Sequence, residues 1–357
     1  MDERSGSAVV SRRGPTPRRE AFDIYWRFTA ERQSIFERRL SGDAYPWTLD
    51  PILQTYKFCN VFRAADRVSQ YLIRDIAYGS TNTDASDLAF EIVAFRTFSK
   101  IGTWQSLKET LGRSPRLEDL RDGSFESALS EIRQAQGGLY TGAFILCATA
   151  AYGRTQKHLN HVELFRDMFL HNHFDRDLSD ASSLREVYLL IHKYPLMGDF
   201  MSYQTAIDLN YSRLTDFSEN DFTQPGPGAL RGLKKVFEDP GDYSAPDLIH
   251  WIVDRQEFEM DRLGLEFNGL FGRRLHAIDA QNLLCETDKY CREALPELTS
   301  SRTRIKAKFT STPEPIDYLF PPKWGIQPHK LALSALDGLT TNANIETRAK
   351  QLAGVRA

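Results

Sequence analysis

Apolar residues recur at helical spacing along most of this chain, and this periodicity constrains the fold more than any other feature. Aromatic and aliphatic residues alternate with charged ones in the pattern of amphipathic helices, and no segment shows the sustained two-residue alternation of strands. The sequence therefore predicts an all-α protein. The predicted helices cover residues 22–39, 52–77, 87–97, 103–111, 124–135, 140–151, 158–169, 183–192, 200–210, 228–237, 244–262 and 279–295.

Composition divides the chain into one folded domain and two flanking segments. With 357 residues, of which 41% are hydrophobic, the chain can bury a substantial core. Residues 1–20 are rich in arginine, glycine and serine, and we expect a disordered basic arm that either contacts phosphates or remains a solvated tail. Residues 21–297 form the predicted helical domain. Residues 298–357 contain prolines that forbid long helices, so a partly flexible extension with a short helix near 331–339 is expected.

Charge, cysteines and hydropathy exclude several classes of protein. The formal net charge of −3 argues against a wholly basic DNA-coating protein but permits a local basic face. No run of about 18 apolar residues could span a bilayer, so no membrane partner and a cytoplasmic location are expected. No metal site is predicted, because the histidines lack a matching cysteine or carboxylate pattern. The cysteines are scattered without a paired spacing: Cys59, Cys147, Cys285 and Cys291.

A predicted helical hairpin lies between residues 184 and 210. Its connection contains Lys193, Leu196 and Gly198, and the free N–H groups that begin the second helix could hold a DNA phosphate. The pattern resembles the helix-hairpin-helix of DNA glycosylases, although Leu196 replaces the first glycine of the usual Pro-Gly-Val-Gly. Lys193 and Gly198 are the predicted phosphate contacts. An ordinary helical hairpin remains the alternative.

The same resemblance implies a carboxylate about one helix beyond the hairpin. The segment 216–228 supplies three acidic residues, of which we select Asp221 as catalytic and interpret Asp216 and Glu219 as solvated. Asp221 could equally be a solvated loop residue. The glycines that follow open a helix with basic residues, which predicts further DNA contacts. These contacts are Gly226, Gly228, Arg231, Lys234 and Lys235.

Segments 46–53, 56–63, 66–69 and 278–290, together with the 226–228 loop, extend the resemblance over residues 22–297. They resemble the helical domain of phage 5-hydroxymethyl-deoxyuridine DNA kinases and the α-glutamyl/putrescinyl thymine pyrophosphorylases, a family that includes antiphage modified-base glycosylases. The resemblance implies a pocket for a base flipped out of the duplex. Core packing and helix capping are the alternative roles for its predicted residues. They are Tyr56, Phe58, Asn60, Arg63, Asn220, Gln281 and Asn282.

The expected reaction follows from this resemblance. The chain has no phosphate-binding loop of the G-x-x-x-x-G-K-[ST] type, so neither ATP nor another cofactor is expected. Residues 199–201 offer no lysine for Schiff-base chemistry. The leading hypothesis is a monomeric, monofunctional DNA glycosylase that excises a modified pyrimidine, such as glucosylated 5-hydroxymethylcytosine of phage DNA, in antiphage defence. The alternatives are a pyrophosphorylase-like transferase that acts on 5-hydroxymethyl-pyrimidine in DNA, and a non-catalytic reader of modified DNA.

Overall fold

The computed structural model describes residues 12–142, 150–298, 302–311 and 317–326, and within these ranges it confirms the all-α prediction. The one sheet among the described residues pairs β1 (Thr16–Pro17) antiparallel with β2 (Phe237–Asp239). The helices are α1 (Arg19–Leu40), α2 (Pro51–Thr55), α3 (Arg67–Tyr71), α4 (Ala85–Phe98), α5 (Ile101–Leu111), α6 (Leu117–Asp122), α7 (Ser124–Gln136), α8 (Lys157–Phe165), α9 (Phe174–Asp180), α10 (Leu184–His192), α11 (Asp199–Tyr211), α12 (Pro227–Val236), α13 (Ala245–Asp254), α14 (Gln256–Arg262) and α15 (Ala277–Ala294).

Helices α4 and α11 form the centre of the molecule. Residues 88–98 of α4 and 201–211 of α11 are buried on every side, and the two helices pack against each other. Burial on every side places both helices inside the core, where Asp208 of α11 pairs with Arg96 of α4. The Asp84 side chain fixes the start of α4 by accepting hydrogen bonds from the backbone N–H groups of Ser86 and Asp87. The other helices surround this central pair.

Helices α12 and α15 pack unusually closely because α12 carries glycine at the contact. A Cβ atom added to Gly232 would lie 2.1 Å from the carbonyl oxygen of Leu284, and one added to Gly228 would lie 2.2 Å from Sγ of Cys285. The backbone N–H of Gly226 donates to Oε1 of Gln281, 3.1 Å away. This packing places the start of α15 beside the loop that precedes α12.

The segment 52–77, predicted as one helix, is broken into short elements. Residues 56–62 are largely extended, a 3-10 turn covers Arg63–Ala65, and a π-helical turn at Leu72–Ala77 follows α3. Carboxylates of α15 hold this loop, since Glu286 accepts a hydrogen bond from the N–H of Cys59 and Asp279 accepts one from Arg63. A loop buried on several sides has the dense apolar content of a helix, which explains the wrong prediction.

The described parts of both flanking segments pack against the helical domain. The N–H of Arg13 donates to Asp242 at 2.7 Å, and Nε of Arg18 donates to the carbonyl oxygen of Lys235 at 3.0 Å. At the other end, Tyr318 and Phe320 are buried in the main core. Residues 12–18 therefore differ from the disordered arm that we predicted, whereas residues 302–311 and 317–326 are packed parts of the extension that we predicted to be partly flexible. Residues 1–11, 143–149 and the predicted helix at 331–339 lie outside the described residues.

In the part of the chain that the structure describes, no helix has both the length and the apolar composition that crossing a membrane requires.

Candidate functional site

An open groove of about 830 Å³ lies between the end of α13, the connection 271–276 that leads into α15, and residues 324–326. Asn220, Arg273, His276 and Trp324 are among its lining residues. The guanidinium carbon of Arg273 lies 3.7 Å from the centre of the Trp324 ring, which fixes this cation on the groove wall. A groove of this size that combines aromatic faces with polar groups can hold a nucleotide-sized ligand.

Two buried carboxyl groups, Glu219 and Asp279, stand directly behind the groove wall. Oε2 of Glu219 lies 3.1 Å from Nη2 of Arg273, and Oδ2 of Asp279 accepts a hydrogen bond from the N–H of His276 at 3.1 Å. Burial, reinforced by the charge of Glu219, raises the pKa of Asp279 to about 7, and burial also raises the pKa of Glu219. A carboxyl group with a pKa near neutrality can give or take a proton during a reaction.

His276 presents a neutral imidazole to the same site. Burial, and then the neighbouring charge of Arg273, lowers the pKa of His276 to about 4. Its Nδ1 lies 3.0 Å from the carbonyl oxygen of Arg274. Because a carbonyl oxygen only accepts hydrogen bonds, Nδ1 must carry the proton, and Nε2 keeps a lone pair. The ring can therefore act as a base or as a ligand.

Asp221, the predicted catalytic residue, and its neighbour Glu219 have environments opposite to those that we predicted. Asp221 is exposed, and its N–H donates to the carbonyl oxygen of Ser218 at 3.1 Å in a tight turn. Glu219, interpreted as solvated, is instead 3% exposed and paired with Arg273. The turn directs residue 219 inward and residue 221 outward. Asp216 is exposed as predicted and pairs with Lys323.

The predicted base-pocket residues do not converge on one site. Tyr56, Phe58 and Asn60 line a second cavity of about 60 Å³, whose volume suits a few water molecules rather than a pyrimidine. Asn282 lies next to this cavity, with Nδ2 3.5 Å from the carbonyl oxygen of Asn60. Asn220 alone lines the groove, where its Oδ1 accepts a hydrogen bond from the N–H of Ala277.

Two other members of the predicted pocket, Arg63 and Gln281, have structural partners instead. Nη2 of Arg63 lies 2.7 Å from Oδ1 of Asp208, and Arg96 binds the other oxygen of the same carboxylate. Arg63 is 5% exposed, so it cannot contact a flipped base as a residue of the predicted pocket. Gln281 is buried and holds the N–H of Gly226.

Other groups of the protein take the place that we predicted for a phosphate at the hairpin. The hairpin itself is present as α10 and α11, but Lys193 pairs with Asp177 at 3.0 Å. Gly198 has a φ of −73°, whereas Leu196, at the position of the missing glycine, has a φ of 68°. Asp199 places a carboxylate in the first turn of α11, where a phosphate was expected.

The predicted contacts on α12 also bind within the protein. Arg231 and Lys235 both pair with the buried Asp288, at 3.0 and 3.3 Å, so Lys235 is not available to DNA. Gly226 and Gly228 lie so close to the side chains of Phe200 and Cys285 that a Cβ atom would clash, which gives both glycines a role in helix packing. Lys234 is exposed and remains a predicted DNA contact.

Sequence reasoning missed Arg273 and Trp324, and it did not select His276 or Glu219. His276 and Asp279 lie three residues apart around the start of α15, a spacing that could have suggested a joint role. The pairing of Glu219 with Arg273 depends on two distant loops, so no local pattern could have indicated it.

The chain is thus a mainly helical protein with a polar groove, in which an arginine and an imidazole lie in front of two buried carboxyl groups. The family described as 5-hmdU DNA kinase, helical domain, matches residues 19–300, and the chain belongs to this family. It is similar to the 5-hmdU DNA kinase of Bacillus phage SP10, with 28% identity over 301 residues. The match covers 79% of this chain and 46% of that protein, so the chain spans less than half of its relative. No solved structure matches the chain.

These comparisons confirm the resemblance to the kinase helical domain and correct the expected reaction. The relative is named a DNA kinase, which is a transferase, whereas a DNA N-glycosylase is a hydrolase. The prediction of a glycosylase is therefore wrong. The finer assignment to a helix-hairpin-helix DNA-glycosylase fold is not confirmed by the family match.

Proposed function

We propose that this chain acts on DNA that contains a modified pyrimidine and transfers a group at the 5-substituent of the base, leaving the sugar–base bond intact. The observation that carries the proposal is the groove in which Arg273 and His276 lie in front of two buried carboxyl groups. The family match and the kinase relative support a modified-pyrimidine DNA as the substrate.

The groove has the groups that binding such a base requires. A base must leave the duplex to be handled by an enzyme, and it is then held by stacking and by hydrogen bonds. Trp324 and Phe271 provide aromatic surface along the groove. Arg273 and Arg274 supply planar donors suited to a phosphate on the substituent. The side-chain oxygen Oδ1 of Asn220 accepts a hydrogen bond from the N–H of Ala277, which leaves the side-chain NH₂ group as a donor.

The groups behind the groove suit a transfer at a hydroxymethyl substituent. When an amine attacks the methylene carbon, the phosphate on the substituent leaves with the electron pair of the broken C–O bond. When the hydroxymethyl oxygen instead attacks the terminal phosphate of a nucleotide donor, the nucleoside diphosphate leaves. In both cases the attacking group gives up a proton. Neutral His276 can accept this proton, and Asp279, with a pKa raised to about 7, can donate or accept one. The arrangement therefore supports chemistry on the substituent.

The experiment incubates the full chain with duplexes containing thymine, 5-hydroxymethyluracil or its phosphorylated form, each with and without a nucleotide or amine donor. The DNA is then digested, and the nucleosides are analysed by mass spectrometry. A changed mass on the retained modified base supports group transfer. Binding without any mass change in every mixture would replace the proposal with the role of a reader.

Two variants distinguish the role of the groove in the reaction from a general effect of positive charge on DNA affinity. Arg273→Ala should lower the transfer rate by about 100-fold, because removal of one donor aimed at a developing charge costs about 10²–10³-fold. Arg185→Ala changes an exposed arginine of α10 and serves as the matched control. Equal rates for both variants would show that the reaction takes place elsewhere.

A further inference from the structure

We infer that Glu219, His276 and Asp279 form a binding site for a divalent transition-metal ion at the inner wall of the groove. One ring nitrogen of His276 and one carboxylate oxygen from each acidic residue lie within 4.8 Å of one another. Glu219 and Asp279 are both 3% exposed, and His276 lines the groove. A bound ion takes the lone pair of His276, so in the metal-bound chain this ring is a ligand and not the base of the proposed reaction. The ion itself can be detected whether or not that reaction takes place.

An unsatisfied oxygen of Glu219 points to a missing cation. Oε2 of Glu219 is bound by Arg273, but Oε1 is buried and has no hydrogen-bond partner. A buried charged oxygen without a partner is costly, so native proteins seldom leave one. A metal ion bound to Oε1 removes this cost.

His276 and Asp279 are prepared to complete the site. Metal-binding histidines usually donate their other ring N–H to a carbonyl oxygen, which fixes the ring. The contact of 3.0 Å between Nδ1 of His276 and the carbonyl oxygen of Arg274 has this form. Asp279 is held by the N–H groups of Arg63 and His276, one on each oxygen, and each oxygen keeps a second lone pair.

The donor set indicates the kind of ion. Carboxylate oxygens alone suit Mg²⁺ or Ca²⁺, whereas an added imidazole favours Mn²⁺, Fe²⁺ or Zn²⁺. Ligands at about 2.0–2.2 Å from one ion lie within about 4.4 Å of each other, so binding requires only a small contraction of the cluster. Three protein ligands also leave coordination positions for water or for a ligand in the groove.

The test titrates Mn²⁺ into the full chain after removal of metals by a chelator, and electron paramagnetic resonance measures free Mn²⁺. Mn²⁺ is the better probe because free thiols such as Cys59 and Cys285 would compete for Zn²⁺. We expect one ion per chain, and we expect Glu219→Gln and His276→Gln each to weaken binding by about tenfold or more. Ca²⁺ should compete poorly.

Glu259→Gln is the matched control, since Glu259 is also a buried carboxylate but pairs with Arg255 and Arg262 away from the cluster. Its affinity for Mn²⁺ should equal that of the unchanged protein. Mn²⁺ should also raise the unfolding temperature of the unchanged chain and of Glu259→Gln, but not that of Glu219→Gln. The inference is overturned if the unchanged chain binds no Mn²⁺, or if Glu219→Gln and His276→Gln bind it as tightly as the unchanged chain. The measurement on the unchanged chain decides the inference even if a variant fails to fold.

Discussion

Glu91 is a buried acid in α4 whose surroundings penalise its charge. Oε1 accepts hydrogen bonds from Ser80 and Asn82, but Oε2 is buried without a partner. Burial raises the pKa of Glu91 from 4.5 to about 7. The folded chain therefore holds this proton more tightly than the unfolded chain, and stability is lost as the pH rises from about 4.5 to about 7. The loss is at most about 3–4 kcal/mol, at about 1.4 kcal/mol per pKa unit.

Glu91→Gln cannot ionise and should be more stable than the unchanged chain above about pH 7. We expect the difference in unfolding free energy to shrink toward low pH, where Glu91 is protonated. Urea unfolding at about pH 5 and about pH 8 measures it, and Glu118→Gln, on the surface of α6, is the control. Parallel pH profiles for Glu91→Gln and the unchanged chain would contradict the assigned pKa.

Asp208 lies between the guanidinium groups of Arg63 and Arg96 and is fully buried. Asp208→Asn would leave two buried cations without their counter-charge, so we expect a loss of about 3–5 kcal/mol in unfolding free energy. Asp216→Asn, at a side chain that is 80% exposed, should change stability by less than about 0.5 kcal/mol. Similar losses for both variants would mean that the buried network contributes nothing specific.

The acidic residues of the 216–221 segment show what sequence reasoning could and could not determine about the site. The sequence indicates that carboxylates follow the hairpin, and this region does reach the groove through Asn220. Which carboxylate faces inward depends on the turn at 218–221 and on Arg273, more than fifty positions away along the chain. No local pattern could therefore have favoured Glu219 over Asp221 as the inward-facing carboxylate.

Among the secondary-structure elements, α12 and α15 are in such close contact that the stability of the chain should depend on the glycine between them. Gly232→Ala would place a methyl group against the backbone of Leu284 and force the helices apart, so we expect a loss of about 1–3 kcal/mol. Gly102→Ala, in α5 with no atom within 4 Å of the added Cβ, should instead gain about 0.5–1 kcal/mol. Denaturant unfolding measures the change in stability of both variants. A neutral Gly232→Ala would show that the helices can separate without cost.

Elements with a clear apolar stripe could be predicted, and buried irregular segments could not. Helices α1, α7 and α10 lie within a few residues of their predicted bounds, because each buries one face. The predicted helix 244–262 breaks at Arg255, and helices α6 and α9 are too short to show a period. The prediction of a helix through residues 56–66 was wrong for another reason. Carboxylates of α15 hold this segment, and they lie more than two hundred residues away along the chain.

At the scale of the whole molecule, the segments 302–311 and 317–326 complete both the core and the groove. Ile305, Tyr318 and Phe320 are buried with residues of the helical domain. Trp324 lines the groove beneath Arg273, and Nζ of Lys323 donates to the carbonyl oxygen of Ser212 at 3.1 Å. These residues lie beyond the matched range 19–300, yet the groove is incomplete without them.

A chain that ends at residue 298 should consequently be much less stable and should lose ligand binding in the groove. Each large buried apolar side chain contributes about 1.5–3 kcal/mol, and a domain of ordinary stability has only about 5–15 kcal/mol in total. Phe320→Ala in the full chain should lose about 3–5 kcal/mol, whereas Lys306→Ala, an exposed residue of the same region, should lose almost nothing. Urea unfolding compares the stability of the shortened chain, Phe320→Ala and Lys306→Ala with that of the unchanged chain. An unchanged midpoint for the shortened chain would mean that these segments rest on a domain already complete without them, and the groove would then have to be assigned to the loops around Arg273 alone.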